Sequence, residues 1–204
     1  MTSLPDLQRR LIQATLIGLS IYGGASYAWV IGISPGPRGV YLAVGNATAN
    51  AANGTINLIS VAVPASAIGT GQIQPMQSNS TQANSPLDNF NVCVPASGQV
   101  YIGGFFRLPA ASAVTAVLQV STPASLTSGA NSIPFNQISW SSTALGNTAA
   151  DIPAGVFPSA GTLVLRNFAA NNYVENCHTF RYANTVVVPA GQYNGVATYT
   201  LTAP

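Results

Sequence analysis

The chain has 204 residues, of which 48% are hydrophobic and only 5% charged, with six Lys or Arg against four Asp or Glu. A nucleic-acid partner is excluded by this balance, because a phosphate track needs clustered cations and Arg38, Arg107, Arg166 and Arg181 are scattered singly. Solubility falls instead to Ser, Thr, Asn and Gln, short polar side chains that suit the strands and turns of an exported β-protein.

The N-terminal segment reads as a targeting signal. Arg9 and Arg10 precede the apolar run "LIQATLIGLSIYGG", and "ASYA" supplies a small-x-small cleavage site after Ala28. Residues 1–28 are therefore expected to be a signal peptide and residues 29–204 a single exported domain. The competing reading is an uncleaved anchor, since no charge falls between Leu11 and Ile33. With cleavage, no membrane contact is expected of the mature chain, which would reside in the periplasm, on the cell surface or outside the cell.

After the short segment "WVIGIS", the prolines and glycines of "SPGPRG" interrupt regular structure. Strand-like runs follow at "GVYLAVGN", "TINLISVAVP", "NFNVCVP", "QVYIGGFFRLP", "VTAVLQVST", "IPFNQISW", "TLVLRNF", "HTFRYANTVVVP" and "QYNGVATYTLT". Turn formers separate them, the longest stretch being "GTGQIQPMQSNSTQANSP". About nine short strands at such spacing predict an all-β, immunoglobulin-like antiparallel sandwich. No helical pattern outlasts a single turn.

Cys93 and Cys177 are the only cysteines, and in an oxidising compartment they are expected to form one disulfide. A metal site at Cys177 and His178 is disfavoured, because His178 is the only His and a metal needs three or four ligands. No cofactor is implied. Catalysis is not expected either: Glu175 and His178 read as a solvent-facing pair, without a nucleophile elbow or a parallel framework to present one. Asp88 and Asp151 read as turn residues rather than as a carboxylate pair, Asp stabilising a turn by bonding the backbone two residues on. The Gly pair in "VYIGGFF" marks a bulge or a close backbone approach. Around it Tyr101, Phe105 and Phe106 are read first as core and second as a sugar-binding platform.

In the last segment Gly191, Tyr193, Ala197, Tyr199, Leu201 and Ala203 share one face, interrupted by Gly195, while Gln192, Asn194, Thr198, Thr200 and Thr202 share the other. That period of two specifies a half-buried strand. Gly191 stands fourteenth from the end and an aromatic, Tyr199, lies close to it, a pattern that resembles the C-terminal strand of pilin subunits of the chaperone and usher pathway. Ala203 stands where those pilins carry a penultimate Tyr. The resemblance implies an immunoglobulin-type sandwich completed by a periplasmic chaperone, and then, at the usher, by the N-terminal extension of another subunit. Trp29, Ile31 and Ile33 resemble a short donor segment. The function so implied is structural or adhesive, fimbrial-subunit-like and non-catalytic. The alternative is a self-contained secreted module whose loops bind a glycan or protein receptor. Intact-mass measurement of the exported protein checks the export reading: the expected chain begins at Trp29, whereas a membrane-bound species retaining Met1 contradicts it.

Overall fold

The computed structural model describes residues 33–46, 56–110, 113–144 and 149–204. The signal segment, Trp29 and Ile31 lie outside these residues. Thirteen strands form among them: β1 (Gly39–Val44), β2 (Ile59–Ser60), β3 (Gln74–Pro75), β4 (Gln77–Ser78), β5 (Val100–Arg107), β6 (Thr115–Thr122), β7 (Ser125–Ser128), β8 (Asn131–Pro134), β9 (Ile138–Ser142), β10 (Gly155–Val156), β11 (Gly161–Ala169), β12 (Asn172–Tyr182) and β13 (Thr198–Thr202). All pairings between them are antiparallel. Helical structure among the described residues is confined to three short 3-10 turns, and no helix there is long and apolar enough to cross a membrane.

The all-β expectation therefore holds, but thirteen strands replace about nine. The excess comes from two-residue ladders inside predicted connections: β3 and β4 lie within the long Gln- and Ser-rich stretch, and β10 follows the turn at Asp151. The predicted turn "TPASLTSGANS" contributes β7 and the first part of β8. Conversely, "NFNVCVP" forms no strand, only a bridge between Asn84 and Asn91.

Two sheets carry the architecture. The larger runs β1-β5-β12-β9-β10 with β3 added at the far end of β12, and the smaller runs β11-β6-β13. Their inner faces meet because alternate residues are apolar. From β5 come Val100, Ile102 and Phe106, from β12 Val174, Phe180 and Tyr182, and from β6 Ala116, Leu118 and Val120. On β11 the register shifts between Val164 and Arg166. The extra residue, Leu165, keeps Leu163 and Leu165 inward on one side of the bulge and Phe168 and Ala170 inward on the other. Phe157, just past β10, gathers the aromatic part of this core, with its ring centroid 4.8 Å from Trp140, 5.5 Å from Phe135 and 5.9 Å from Phe180. Full burial of each such ring contributes about 1.5 to 3 kcal/mol.

The terminal segment finds its partner within the chain. β13 pairs with β6 from Thr198↔Ser121 to Thr202↔Val117, and Tyr193, Ala197, Tyr199, Leu201 and Ala203 all pack against the core. Gly191, expected on the same face, is exposed, and regular strand covers only Thr198–Thr202. Upstream, Asn194 exchanges both backbone hydrogen bonds with Thr127 of the β7–β8 hairpin, at 2.9 and 3.0 Å, so the chain changes partner before it reaches β6. Gly195 sits where a Cβ would fall 2.7 Å from Leu126 and 2.8 Å from Phe135.

Burial of one face only gives a direct check on register. Leu201→Asp, which places a carboxylate against the core, is expected to lower the unfolding free energy in urea by about 2 kcal/mol or more. Thr200→Asp, on the exposed face, is expected to stay within about 0.5 kcal/mol of wild type. Equal losses would mean that both faces of β13 are covered.

Candidate functional site

The outer face of the large sheet collects the chain's unusual chemistry. Period two sends Tyr101, Gly103 and Phe105 of β5 to this face, opposite the inward Ile102 and Phe106. Cross-strand register then builds two rows. Tyr41, Phe105 and Tyr173 lie side by side on β1, β5 and β12, and Ala43, Gly103 and Glu175 form the next row. The Tyr41 and Phe105 rings stack at 5.4 Å, and Phe105 meets Tyr173 at 6.3 Å.

The Gly pair is explained by close approach, with no bulge. A Cβ on Gly103 would collide with the Tyr101 hydroxyl, because the Tyr101 side chain lies along its own strand toward Glu175. A Cβ on Gly104, on the inner face, would come within 2.8 Å of the Tyr41 carbonyl and 3.2 Å of Leu201. The room left at Gly103 allows the Tyr101 hydroxyl to donate to Glu175 Oε2 at 2.7 Å and to bond the Tyr173 hydroxyl. Tyr101 and Phe106 are thus core residues. Phe105 is half-buried, and its ring is occupied by neighbouring rings rather than open as a sugar platform.

A segment from Ala83 to Cys93 covers this cluster. Cys93 and Cys177 are both buried and stand in disulfide geometry with Cα atoms 5.6 Å apart, closing a separation of 84 residues. Cys177 lies mid-strand in β12, rather than ahead of a strand as the sequence suggested. The covering segment is tightly folded. Val92 and Cys93 N–H both donate to the Ala83 carbonyl at 2.9 Å, Ser85 N–H donates to the Phe90 carbonyl at 2.8 Å, and Asn91 Nδ2 donates to Asn84 Oδ1 at 3.2 Å. Asp88 Oδ1 accepts the Phe90 N–H at 3.1 Å, two residues on, as expected of a turn Asp. Beneath this turn the buried Ser85 hydroxyl faces both Glu175 and Tyr173.

Glu175 and His178 correct the expectation of a solvent-facing pair. They are 8% and 0% exposed, and they point to opposite faces of β12, because three residues along a strand reverse the side. They do not meet. Burial raises the Glu175 carboxyl above its ordinary value, opposed by the Tyr101 and Ser85 hydroxyls and reinforced by Asp88. Burial also raises the Tyr101 and Tyr173 phenols. His178 stacks on Trp140 at 5.7 Å and 16°, and burial drives it down to about 3. Nearby, Asn176 accepts the Ile152 N–H at 2.5 Å and donates to the Thr143 carbonyl, so a strap around Ile152 closes over the free stretch of β12. Asp151, in that strap, is raised by burial and opposed by Arg166.

Of the expected donor residues, Ile33 is described, and its N–H donates to the Asn171 carbonyl of its own chain at 2.8 Å. Among the described residues no group of three or more His, Cys, Asp or Glu could hold a metal. Sequence reasoning passed over Tyr41, Ser85 and Tyr173, whose signal is visible only once cross-strand register is known. Comparison with protein-family models, curated proteins and solved structures finds no match.

His178 generates a pH prediction. Its folded value lies below the ordinary 6.5, so the unfolded chain binds the proton more readily. Its contribution is complete above that value and is lost as pH falls toward about 3. Relative to His178→Phe, the wild type should lose up to about 1.4 kcal/mol per pH unit across this window. Urea titrations at several pH values check this, and parallel profiles for the two proteins would contradict it.

Proposed function

We propose that the protein is an exported, non-catalytic sandwich of immunoglobulin-like character with a structural or adhesive surface role, fimbrial-subunit-like in meeting its partners by strand pairing at β13. One observation carries the reading: β13 ends its sheet, and among the described residues it makes a single ladder, to β6. Its inward Leu201 is only half-buried, although the neighbouring Tyr199 phenol is deeply buried, and β1 of the other sheet runs beside it. An exposed edge whose inward side chains are incompletely covered is the kind of template onto which an extended segment adds a strand. A chaperone, an usher or another subunit would supply that segment.

Export is supported by the Cys93–Cys177 pair, since structural disulfides persist in oxidising compartments. The non-catalytic reading is supported by the separation of Glu175 from His178 on opposite faces of β12. A second reading, a self-contained module binding a glycan or protein receptor through its loops, is favoured by the covering segment. There Phe90 is 56% exposed, with Leu87 also exposed and Val94 just beyond, on a backbone already ordered by its Asn and Asp hydrogen bonds.

Size exclusion of the exported protein, with and without residues 29–34, separates the two. The first reading expects linked subunits that disappear when the segment is deleted. Monomers of equal stability from both chains would transfer the assignment to the self-contained module.

A further inference from the structure

Glu175 is a buried carboxyl without a cation. Each element packed around it supplies a different group: Tyr101 from β5, Tyr173 from β12, Tyr41 from β1, Ser85 and Asp88 from the covering segment, and Asp151 from the strap, whose carboxyl faces the Glu175 backbone N–H. None of these is positive, and two are acids. His178 points to the opposite face of the strand. The Tyr41 hydroxyl is itself buried without a hydrogen-bond partner, so this corner holds more polar groups than it pairs.

We infer that Glu175 is a proton-linked latch, whose protonation state sets how firmly the segment Ala83–Cys93 is held on the outer face of the large sheet. When protonated, the carboxyl accepts from Tyr101 and has a proton of its own to offer to the Ser85 hydroxyl. When ionised, it is a charge in a buried site that also feels the negative charge of the exposed Asp88, and like charges repel. Cys93 stays tethered to Cys177 in both states. The part that loosens is therefore the turn between Asn84 and Asn91, which carries the exposed Leu87 and Phe90. Loosening it changes the presentation of those apolar side chains and uncovers the row Tyr41, Phe105 and Tyr173.

The direction follows from where the proton is held more tightly. The folded protein keeps the Glu175 proton to a higher pH than the unfolded chain does. The latch is complete in acid and weakens as pH rises through the raised value. This is opposite in sign to His178, and it does not depend on strand addition at β13.

Hydrogen exchange of the full exported chain, corrected for intrinsic rates, reads the latch at the Ser85 and Asn89 amides, which are bonded within the turn to Phe90 and Ser85. Protection in the wild type should fall by about tenfold for each unit by which the carboxyl is raised. Glu175→Gln, which cannot ionise, should give protection independent of pH. Asp88→Asn keeps the turn acceptor but removes the second charge, which helps hold the carboxyl protonated, and should move the transition to lower pH. Tyr101→Phe removes a donor to the ionised carboxyl and should move it the other way, to higher pH. A purely structural role for Glu175 would shift no midpoint. The inference is overturned if wild-type protection is flat with pH, if Glu175→Gln keeps the wild-type profile, or, should that variant not fold, if neither Asp88→Asn nor Tyr101→Phe moves the midpoint.

Discussion

Everything described here hangs on the ladder between β5 and β12, which runs from Tyr101↔Cys177 to Phe106↔Asn172 and is covered on both faces. Because successive side chains alternate, one ladder serves two unlike environments. Inward, Ile102, Phe106 and Val174 meet the small sheet in an apolar layer. Outward, Tyr101, Gly103, Tyr173, Glu175 and Cys177 meet the covering segment in a layer built from hydroxyls, one carboxyl and a disulfide. A sheet covered twice has no solvated face to absorb polar residues, so each must find a partner or shift its protonation.

That constraint accounts for the pairing of opposite acid responses on one strand. Glu175 and His178 lie three positions apart and face opposite layers, each displaced by burial toward its neutral form. Acid favours the outer layer through Glu175 and disfavours the inner one through His178.

Strands whose two faces differ in polarity were legible from sequence. β6, β11 and the inward face of β13 appear where alternation places them, while β1 and β5 were marked by apolar runs between turn formers. β12 was read only from His178 onward, because in "NYVENC" both faces are buried and Glu175 and Asn176 carry polar groups whose partners lie elsewhere in the chain. Asn176, for instance, is satisfied by Ile152 and Thr143, a pairing no local pattern reveals. The two-residue strands were hidden for a different reason: β3 and β4 sit in Gln- and Ser-rich sequence and are set by backbone partners rather than by their side chains. The disulfide could be expected from the even cysteine count together with the export signal. The cluster beneath it could not, since Tyr41, Ser85, Tyr101 and Glu175 come from four separate stretches.

The central claim is that the outer layer is a separate tier, held by the Cys93–Cys177 bridge, over a sandwich whose inner core stands without it. Native-state hydrogen exchange on the Cys93→Ser, Cys177→Ser double variant tests this most directly. Removing a native disulfide costs a small domain about 2 to 5 kcal/mol, and the account predicts that this loss is spread unevenly. The amides of Ser85, Val92 and the substituted position 93 should lose most of their protection, while those of β6, β11 and β13 stay close to wild type. Uniform loss across both sheets would contradict the account, because it would make the bridge a support of the whole fold rather than of its outer tier.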